Sequence, residues 1–592
     1  MKSPAARLRA PAEETQIVET DVLVVGGGVA GCLAVLGAAE AGARKITVCE
    51  KGGIIERSGS VAAGVDHFFS ILEEGPEWDT PEHLLRHVPR LTEGIADLPT
   101  TARLLHGLKP MVHYLEKLGV DFTDPETGRK YYRHRSFGMP GEYTINFDGR
   151  DFKHLIGRAA RNTGALVLER VMVPEILVED GKVRGAVAFH IRHGTFYFIL
   201  ARAVVMATGE ANRMSKNASG LPFDSWHTPY NTGDGQAMSL RRGARLANME
   251  FFDCTLCPKG YSTQGTNAFV GGGGHLKNRL GERFMFKYHP DGERARRGDL
   301  VAGIISETLA GRGPIFCDCT HLPPDKIHRL KETLGVDRPA MPAFFEQKGI
   351  DIAKTPFEIT VSELSSRHGG TFFRSSGILI DPNSGTNVEG LFAAGDCSVM
   401  GAGISGAAVM GKVAGEAAAQ HAMAARKPRP LTGGETAALR GSILRPLHNP
   451  GGFTFSQFED EVRSVVTDYV GFYRDEPHLL EGLKRLRALR AREAGMSAQD
   501  HHGLMRVHEA RSIRAVSEAM AASAIERRET RGGGAHIRAD YPRQDDATGL
   551  NMIIVELDGE DLRVWPKPTG ITPADIRSTA PLGEASAHAH PH

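Results

Sequence analysis

The fold is decided by one stretch near the N-terminus, Val22-Leu23-Val24-Val25-Gly26-Gly27-Gly28-Val29-Ala30-Gly31. Its four apolar residues predict a strand buried on both faces, and its glycines form a G-x-G-x-x-G pattern. Small and apolar residues continue at helical spacing to Gly42, which is a natural helix stop. A second strand, 46–49, then ends in Glu50. The order strand, glycine turn, helix, strand and acid predicts a β-α-β unit that binds a dinucleotide.

Each residue of this unit has a physical task. Gly26 permits the sharp turn out of the strand, Gly28 lets backbone N–H groups approach a pyrophosphate, and Gly31 lets the helix lie close to the sheet. The helix N-terminus supplies partial positive charge to the phosphates, and Glu50 is placed to accept hydrogen bonds from a ribose. The cofactor-binding residues predicted here are Gly26, Gly28, Val29, Ala30, Gly31, Glu50 and Lys51.

Three separated glycine-rich segments favour FAD over a dissociable nicotinamide cofactor. The small, polar stretch 51–64 continues past the acid, 203–209 is another apolar strand ending in a small-residue turn, and 388–396 repeats that design and ends in an acid. Segments that converge on one nucleotide suit a cofactor buried along its whole length. The further predicted cofactor contacts are Ser58, Gly59, Ser60, Gly64, Ala207, Thr208, Gly209, Asp234, Gly395, Asp396 and Ser405.

Composition excludes several other classes of protein. The 592 residues carry 71 lysines and arginines against 71 aspartates and glutamates, so the chain has no basic excess for nucleic acid. Residues 22–39 lack charge but contain five glycines and change period midway, which favours a strand and a helix over a membrane span. The N-terminus has no apolar signal region, and the seven cysteines are an odd number in a long chain. We therefore expect a cytoplasmic protein in a reducing compartment.

The chain resembles the flavoprotein superfamily of fumarate reductase, succinate dehydrogenase, aspartate oxidase and adenylylsulfate reductase. The resemblance covers most of residues 20–545 and is closest to the adenylylsulfate reductase α-subunit branch. It implies an α/β fold: a Rossmann-like FAD-binding domain with an inserted α+β capping domain and a C-terminal helical domain. The matching segments are the first glycine motif, 57–63, Thr232-Gly233-Asp234-Gly235, 281–285, 313–316, 393–396, 503–506, 527–531 and 540–542.

Some family positions differ in this chain. Gly59 stands in the stretch where covalent flavoproteins of the family have a histidine, so the resemblance implies noncovalent FAD. The substrate histidine of the Q-F-H-P-T motif falls near Thr255, and the proton-donating arginine falls at Gly298, one place after Arg297. The H-G-A-N-R substrate motif has become Gly403-Ile404-Ser405-Gly406-Ala407-Ala408. An arginine of the adenylylsulfate reductase site falls near Cys257.

We expect the following organisation along the chain. Residues 1–20 form a flexible arm, 21–240 the first part of the FAD-binding domain with a hairpin near 179–182, and 241–370 the capping domain. Residues 371–425 close the FAD-binding domain, whose strands should resume near 377–381. Residues 426–570 form a helical C-terminal domain with helices at 479–492 and 501–529, and 571–592 a disordered tail.

Redox chemistry on FAD needs side chains that anchor the substrate and exchange a proton. The candidates are His368 as proton donor, Arg374 as anion anchor, Arg297 as substitute for the family arginine, Trp226 as a wall of the cavity and His275 after four glycines. For each, a structural role is the alternative: a loop hydrogen bond, a core tryptophan or a solvated basic run.

Cysteines at 254, 257, 317 and 319 are spaced like metal or dithiol pairs, but we interpret them as buried thiols and predict no metal site. The sequence thus predicts a FAD-dependent oxidoreductase for a small, anionic substrate. Its electrons come from substrate or from an outside partner, and the resemblance implies that this partner is an iron–sulfur (ferredoxin-like) subunit. Two alternatives stay open: a fumarate-reductase-like enzyme acting on a C–C bond beside a carboxylate, and an electron-transfer subunit without its own substrate.

Overall fold

The structure is a computed structural model that describes residues 14–62, 64–135, 139–217, 228–261, 266–337, 340–367 and 372–578. Within these ranges it has the α/β architecture that the sequence predicts. The strand expected at residue 22 begins earlier, at Thr15, because residues 15–20 pair with 196–201. Residues 15–20, expected to belong to a flexible arm, are thus part of a strand, and residues 1–13 lie outside the described part.

A seven-stranded sheet in the described part of the chain positions the glycine turns. Its central strands are parallel and adjacent, so that Val25, Cys49, Met206 and Ala393 end at one edge of the sheet. The hairpin predicted near 179–182 is confirmed at the other side. In spatial order the strands are Leu166–Glu169, Ile46–Glu50, Thr15–Val25, Phe196–Met206, Lys182–His190 and Val171–Glu179, and Leu391–Ala393 also pairs with Phe196–Met206.

Two helices lie against this sheet in close contact. Val29–Glu40 follows the glycine turn, and Gly403–Ala424 closes the domain. Their backbones approach so closely that a Cβ atom on Gly415 would lie 2.0 Å from the carbonyl oxygen of Ala34, and one on Gly411 would lie 2.5 Å from that of Ala30. The small residues of both helices are thus required by the packing.

The strand that returns to the nucleotide-binding sheet is Leu391–Ala393, and the expectation of a return near 377–381 is wrong. Gly377–Ile378 instead pairs with Leu246–Ala247 in a separate four-stranded sheet. That sheet is completed by the hairpin Asn551–Asp558 and Asp561–Pro568 from the C-terminal region. Short apolar runs cannot reveal by themselves which sheet they join.

The capping region is built on a second four-stranded, antiparallel sheet. Its strands are, in spatial order, Leu256–Pro258, Phe357–Val361, Ile315–Asp318 and His275–Lys277. Its helices are Thr266–Gly271, Arg297–Leu309, Pro324–Asp337 and Met341–Gln347. Strands and helices are mixed, as expected of an α+β insertion.

The C-terminal region contains the helices that the sequence predicts, and in addition the hairpin named above. The helix His501–Glu526 is almost entirely buried and starts at Asp500, whose side chain accepts from the N–H of Gly503. The segment expected to be disordered from residue 571 includes the helix Pro573–Arg577, while 579–592 lie outside the described residues. The other helices of this region are Gly433–Leu444, Phe455–Val465 and Glu476–Arg492.

Across the described ranges, the remaining elements are four α-helices, one three-stranded sheet and two short strand pairs. They are the helices Pro81–Leu91, Leu98–Lys117, Phe152–Asn162 and Asp234–Arg241, the sheet His67–Phe69, Thr144–Asn146 and Arg133–His134, and the pairs Phe453–Thr454 with Met496–Ser497 and Tyr473–Arg474 with Ile537–Arg538. Among the residues that the structure describes, no helix is both long and apolar enough to span a bilayer.

Candidate active site

A cavity of about 900 Å³ lies where the parallel strands of the large sheet end. The turns after Val25, Glu50, Met206 and Ala393 meet there because parallel strands end on the same side. Seventeen of the eighteen predicted cofactor residues line it: Gly26, Gly28, Val29, Ala30, Glu50, Lys51, Ser58, Gly59, Ser60, Gly64, Ala207, Thr208, Gly209, Asp234, Gly395, Asp396 and Ser405.

The glycines of the first turn have distinct roles in the structure. Gly26 has a φ of +101°, and a Cβ there would lie 2.4 Å from the carbonyl oxygen of Ala207. Gly31 does not line the cavity; a Cβ there would lie 1.9 Å from the carbonyl oxygen of Gly26. At Gly28 there is room for a Cβ, which would lie in ordinary van der Waals contact with Gly59 Cα at 3.9 Å. Gly26 and Gly31 therefore shape the turn, and Gly28 leaves a cradle beside it.

Glu50 holds the turn and the strand end together. Its carboxylate accepts from the N–H of Gly27 at 2.6 Å and from that of Gly52, and the side chain is buried. These contacts fix the carboxylate beside the helix N-terminus, in the position that a ribose-binding acid requires. The cradle at Gly28, the fixed acid and the convergence of four turns fit a dinucleotide such as FAD.

Arg297 brings a positive charge to the capping side of the cavity. It begins the helix Arg297–Leu309, and its Nη2 donates to both carboxylate oxygens of Asp253, at 2.6 and 2.7 Å. At the next position a Cβ on Gly298 would lie 1.7 Å from the carbonyl oxygen of Gly533. Backbone contact thus excludes an arginine at residue 298, and Arg297 is the cation that this helix presents to the cavity.

Arg367 is a further cation in the cavity wall, and the sequence alone did not reveal it. Its side chain is buried, and its Nε lies 3.6 Å from Asp396 Oδ2. Nearby, the rings of Phe69 and Phe372 stack at 5.2 Å and also line the cavity. No sequence motif points to Arg367, which directly precedes the candidate His368. Only the fold shows that it lines the cavity.

The structure places the other predicted catalytic residues elsewhere or does not describe them. Arg374 does not line the cavity: it donates to the carbonyl oxygens of Thr92 and Gly532, and burial lowers its pKa to about 10. His275 also lies away from the lining, with its ring stacked on His321 at 3.8 Å. Burial and the neighbouring ring lower the pKa of His275. His368 and Trp226 lie outside the described residues.

The cysteines are buried thiols, as the sequence analysis interprets them. All seven are buried and none forms a disulfide, and burial raises the pKa of Cys254. The described residues include no group of three or more His, Cys, Asp or Glu side chains arranged to hold a metal ion.

Comparisons with known proteins agree with this geometry. The family profile described as "FAD binding domain" matches residues 21–411, and that described as "Fumarate reductase flavoprotein C-term" matches 459–581. The succinate dehydrogenase flavoprotein subunit of Coxiella burnetii is 28% identical and the L-aspartate oxidase of Streptomyces coelicolor 27% identical; the alignments cover 95% and 98% of this chain and 99% of each relative.

Among solved structures, adenylylsulfate reductase from Archaeoglobus fulgidus shares the fold with a TM-score of 0.83 at 24% identity, over 94% of this chain and 96% of that one. The matches extend over both the nucleotide-binding region and the C-terminal helices. The chain therefore belongs to the FAD-binding flavoprotein family of succinate dehydrogenase and fumarate reductase, and it is a FAD-dependent oxidoreductase.

Proposed function

We propose that the chain performs two-electron redox chemistry on a small anionic substrate that binds between Arg297 and Arg367. The observation that carries this proposal is that both arginines line the cavity that holds the predicted cofactor residues. Guanidinium groups suit carboxylate, sulfate and phosphate because their N–H donors match two oxygens at once. Arg297 lies one position before Gly298, where the family's proton-donating arginine falls, which favours a different substrate pose.

The site residues divide into groups with separate tasks. FAD, when bound along the glycine turns, supplies the two-electron chemistry. Arg297 and Arg367 bind and orient the anion, and Asp253 and Asp396 hold the two guanidinium groups in place. Phe69 and Phe372 present apolar surface that keeps water from the reacting atoms.

We also propose that electrons pass to or from an iron–sulfur partner subunit in a reducing compartment, the cytoplasm. Several relatives are named as subunits of larger enzymes, succinate dehydrogenase among them. In this chain the seven cysteines are buried and form no disulfide, and no metal-binding group occurs in the described ranges. Purification with the native partner should therefore bring iron in stoichiometric amounts, whereas the chain alone should contain none.

A ligand panel tests the substrate proposal. The purified holoprotein is titrated with succinate, fumarate, L-aspartate and adenylylsulfate, which the names of its relatives suggest, and changes in the visible flavin band are recorded. In Arg367→Met and Arg297→Met we expect the dissociation constant of the active compound to rise about tenfold or more, because a charge-assisted hydrogen bond is lost.

The control is Arg241→Met, since Arg241 pairs with Glu175 and does not line the cavity. It should bind the same compound with unchanged affinity. If an anion perturbs the flavin equally in wild type and in both cavity variants, the arginines do not bind substrate. If no anion perturbs it and only a reduced partner protein does, the chain is an electron-transfer subunit.

A further inference from the structure

A buried cluster of alternating charges connects the cofactor cavity with the C-terminal helices. It joins residues that lie far apart in sequence and belong to both regions, and it contains equal numbers of acidic and basic groups. Its members are Lys51, Asp234, Arg213, Glu459, Arg506 and Glu509.

At the cavity end, Lys51 lies between two carboxylates. Its Nζ is 2.7 Å from Asp234 Oδ2 and 2.8 Å from Glu509 Oε1, and it donates to Thr232 Oγ1 at 3.2 Å. Lys51 and Asp234 both line the cavity. Glu509, on the helix His501–Glu526, is fully buried behind them. A residue of the C-terminal helices, Glu509, thus holds Lys51 in the cavity wall.

At the far end, the cluster closes into a ring. Arg213 donates to Glu509 Oε2 at 2.8 Å and to both carboxylate oxygens of Glu459, at 2.9 and 2.6 Å. Arg506 lies 3.1 Å from Glu459 and 3.2 Å from Glu509. Each carboxylate of the ring therefore contacts two arginines, and Glu509 has no room to move without breaking several ion pairs at once.

Two members of the cluster, Lys51 and Glu509, stay charged at neutral pH. Burial alone would lower the pKa of Lys51, but Asp234 and Glu509 raise it above its ordinary value. Burial would raise the pKa of Glu509, but Lys51 and Arg213 lower it to about 2. Removing one partner of such a buried pair leaves an uncompensated charge. The free-energy cost is far larger than that of breaking an exposed ion pair on the surface.

We propose that Glu509 is a positioning residue for the FAD site: it fixes Lys51, and through Lys51 it fixes Asp234 in the cavity wall. A lysine side chain is flexible and loses orientation when one of its two carboxylate partners is removed. The C-terminal helical region then takes part in retaining the cofactor, although none of the residues that line the cavity comes from it.

The test is the rate of FAD release from the full-length holoprotein, followed by flavin fluorescence after dilution. In Lys51→Met and in Glu509→Gln we expect release to be about tenfold faster or more, because the wall residues lose their anchor. Lys51→Arg keeps both ion pairs within reach and should restore release to within about threefold of wild type. The double variant should release FAD no faster than Lys51→Met, since Glu509 acts through Lys51.

Lys412→Met is the matched control. Lys412 is buried to a similar extent and pairs with Glu40 and Glu416, but it does not line the cavity. It should retain FAD as wild type does. The proposal is overturned if Glu509→Gln retains FAD normally, if its effect adds fully to that of Lys51→Met, or if Lys412→Met loses FAD equally. Because no substrate is needed, the result is independent of the proposed substrate chemistry.

Discussion

Two glycines three positions apart have different roles: one is required by the packing of the fold, and the other leaves space for a ligand. The backbone of Gly26 leaves no room for a side chain at Gly31, so glycine is required there by packing. Gly28 has room for a side chain, so its lack of one is useful only if a ligand comes close. The same residue type thus serves the fold in one case and a ligand in the other.

We expect Gly28→Ala to fold normally but to bind FAD much more weakly, because the added methyl group meets no protein atom closer than 3.9 Å yet occupies the cradle. Gly31→Ala should instead lower the free energy of unfolding, by about 1–3 kcal/mol or more, because its Cβ overlaps a backbone oxygen. Thermal unfolding and FAD titration of both variants check this. Equal FAD affinity in Gly28→Ala and wild type would contradict the assignment.

Elements with a strong pattern could be predicted from the sequence, and short ones could not. The unit from Val22 to Glu50 was predictable because buried strand, glycine turn and helix follow one another without interruption, whereas residues 15–20, expected to be part of an arm, extend the strand. Gly377–Ile378 was assigned to the wrong sheet because two residues carry no information about their partner. The C-terminal hairpin at 551–568 was missed for a related reason: it pairs with Leu246–Ala247, some 300 residues earlier.

The candidate site was predictable on its cofactor side only. Glycine turns at strand ends are local signals, and seventeen of eighteen such residues line the cavity. Arg367 and the Lys51–Glu509 pair depend on which distant segments meet, so only the fold reveals them. Arg374 has the right chemistry for an anchor, but the structure buries it against Thr92 and Gly532.

The helix His501–Glu526 carries a pH-sensitive group in its buried face. His508 is buried and donates from Nε2 to the carbonyl oxygen of Ile443, and burial holds its pKa well below the ordinary value. The folded state therefore binds fewer protons than the unfolded state once the pH falls below about 6.5, and stability decreases as the pH falls.

For this group alone we expect the free energy of unfolding to drop by about 1.4 kcal/mol between pH 7.5 and 5.5. His508→Gln keeps an N–H donor but removes the proton-binding site. Its thermal midpoint should be lower than that of wild type at pH 7.5 and should decline less on acidification. A decline as steep as that of wild type would show that His508 does not contribute.

At the scale of the whole molecule, the cofactor cavity is a junction of three regions. The nucleotide-binding sheet supplies the glycine turns, the capping region supplies Arg297, and the C-terminal helices hold Lys51 from behind through Glu509. Segments that are distant in sequence therefore form one cavity. A ligand bound there should raise the free energy of unfolding of the entire chain rather than of one domain.

The central claim is that this cavity holds one FAD without a covalent bond. The most direct measurement is the amount of flavin released by acid from the purified full-length protein, relative to the chain concentration, with Gly28→Ala as comparison. We predict one FAD per chain, released completely into the supernatant, and much less from the variant. A colourless protein that takes up no added FAD, or flavin that stays with the precipitated chain, would contradict the account.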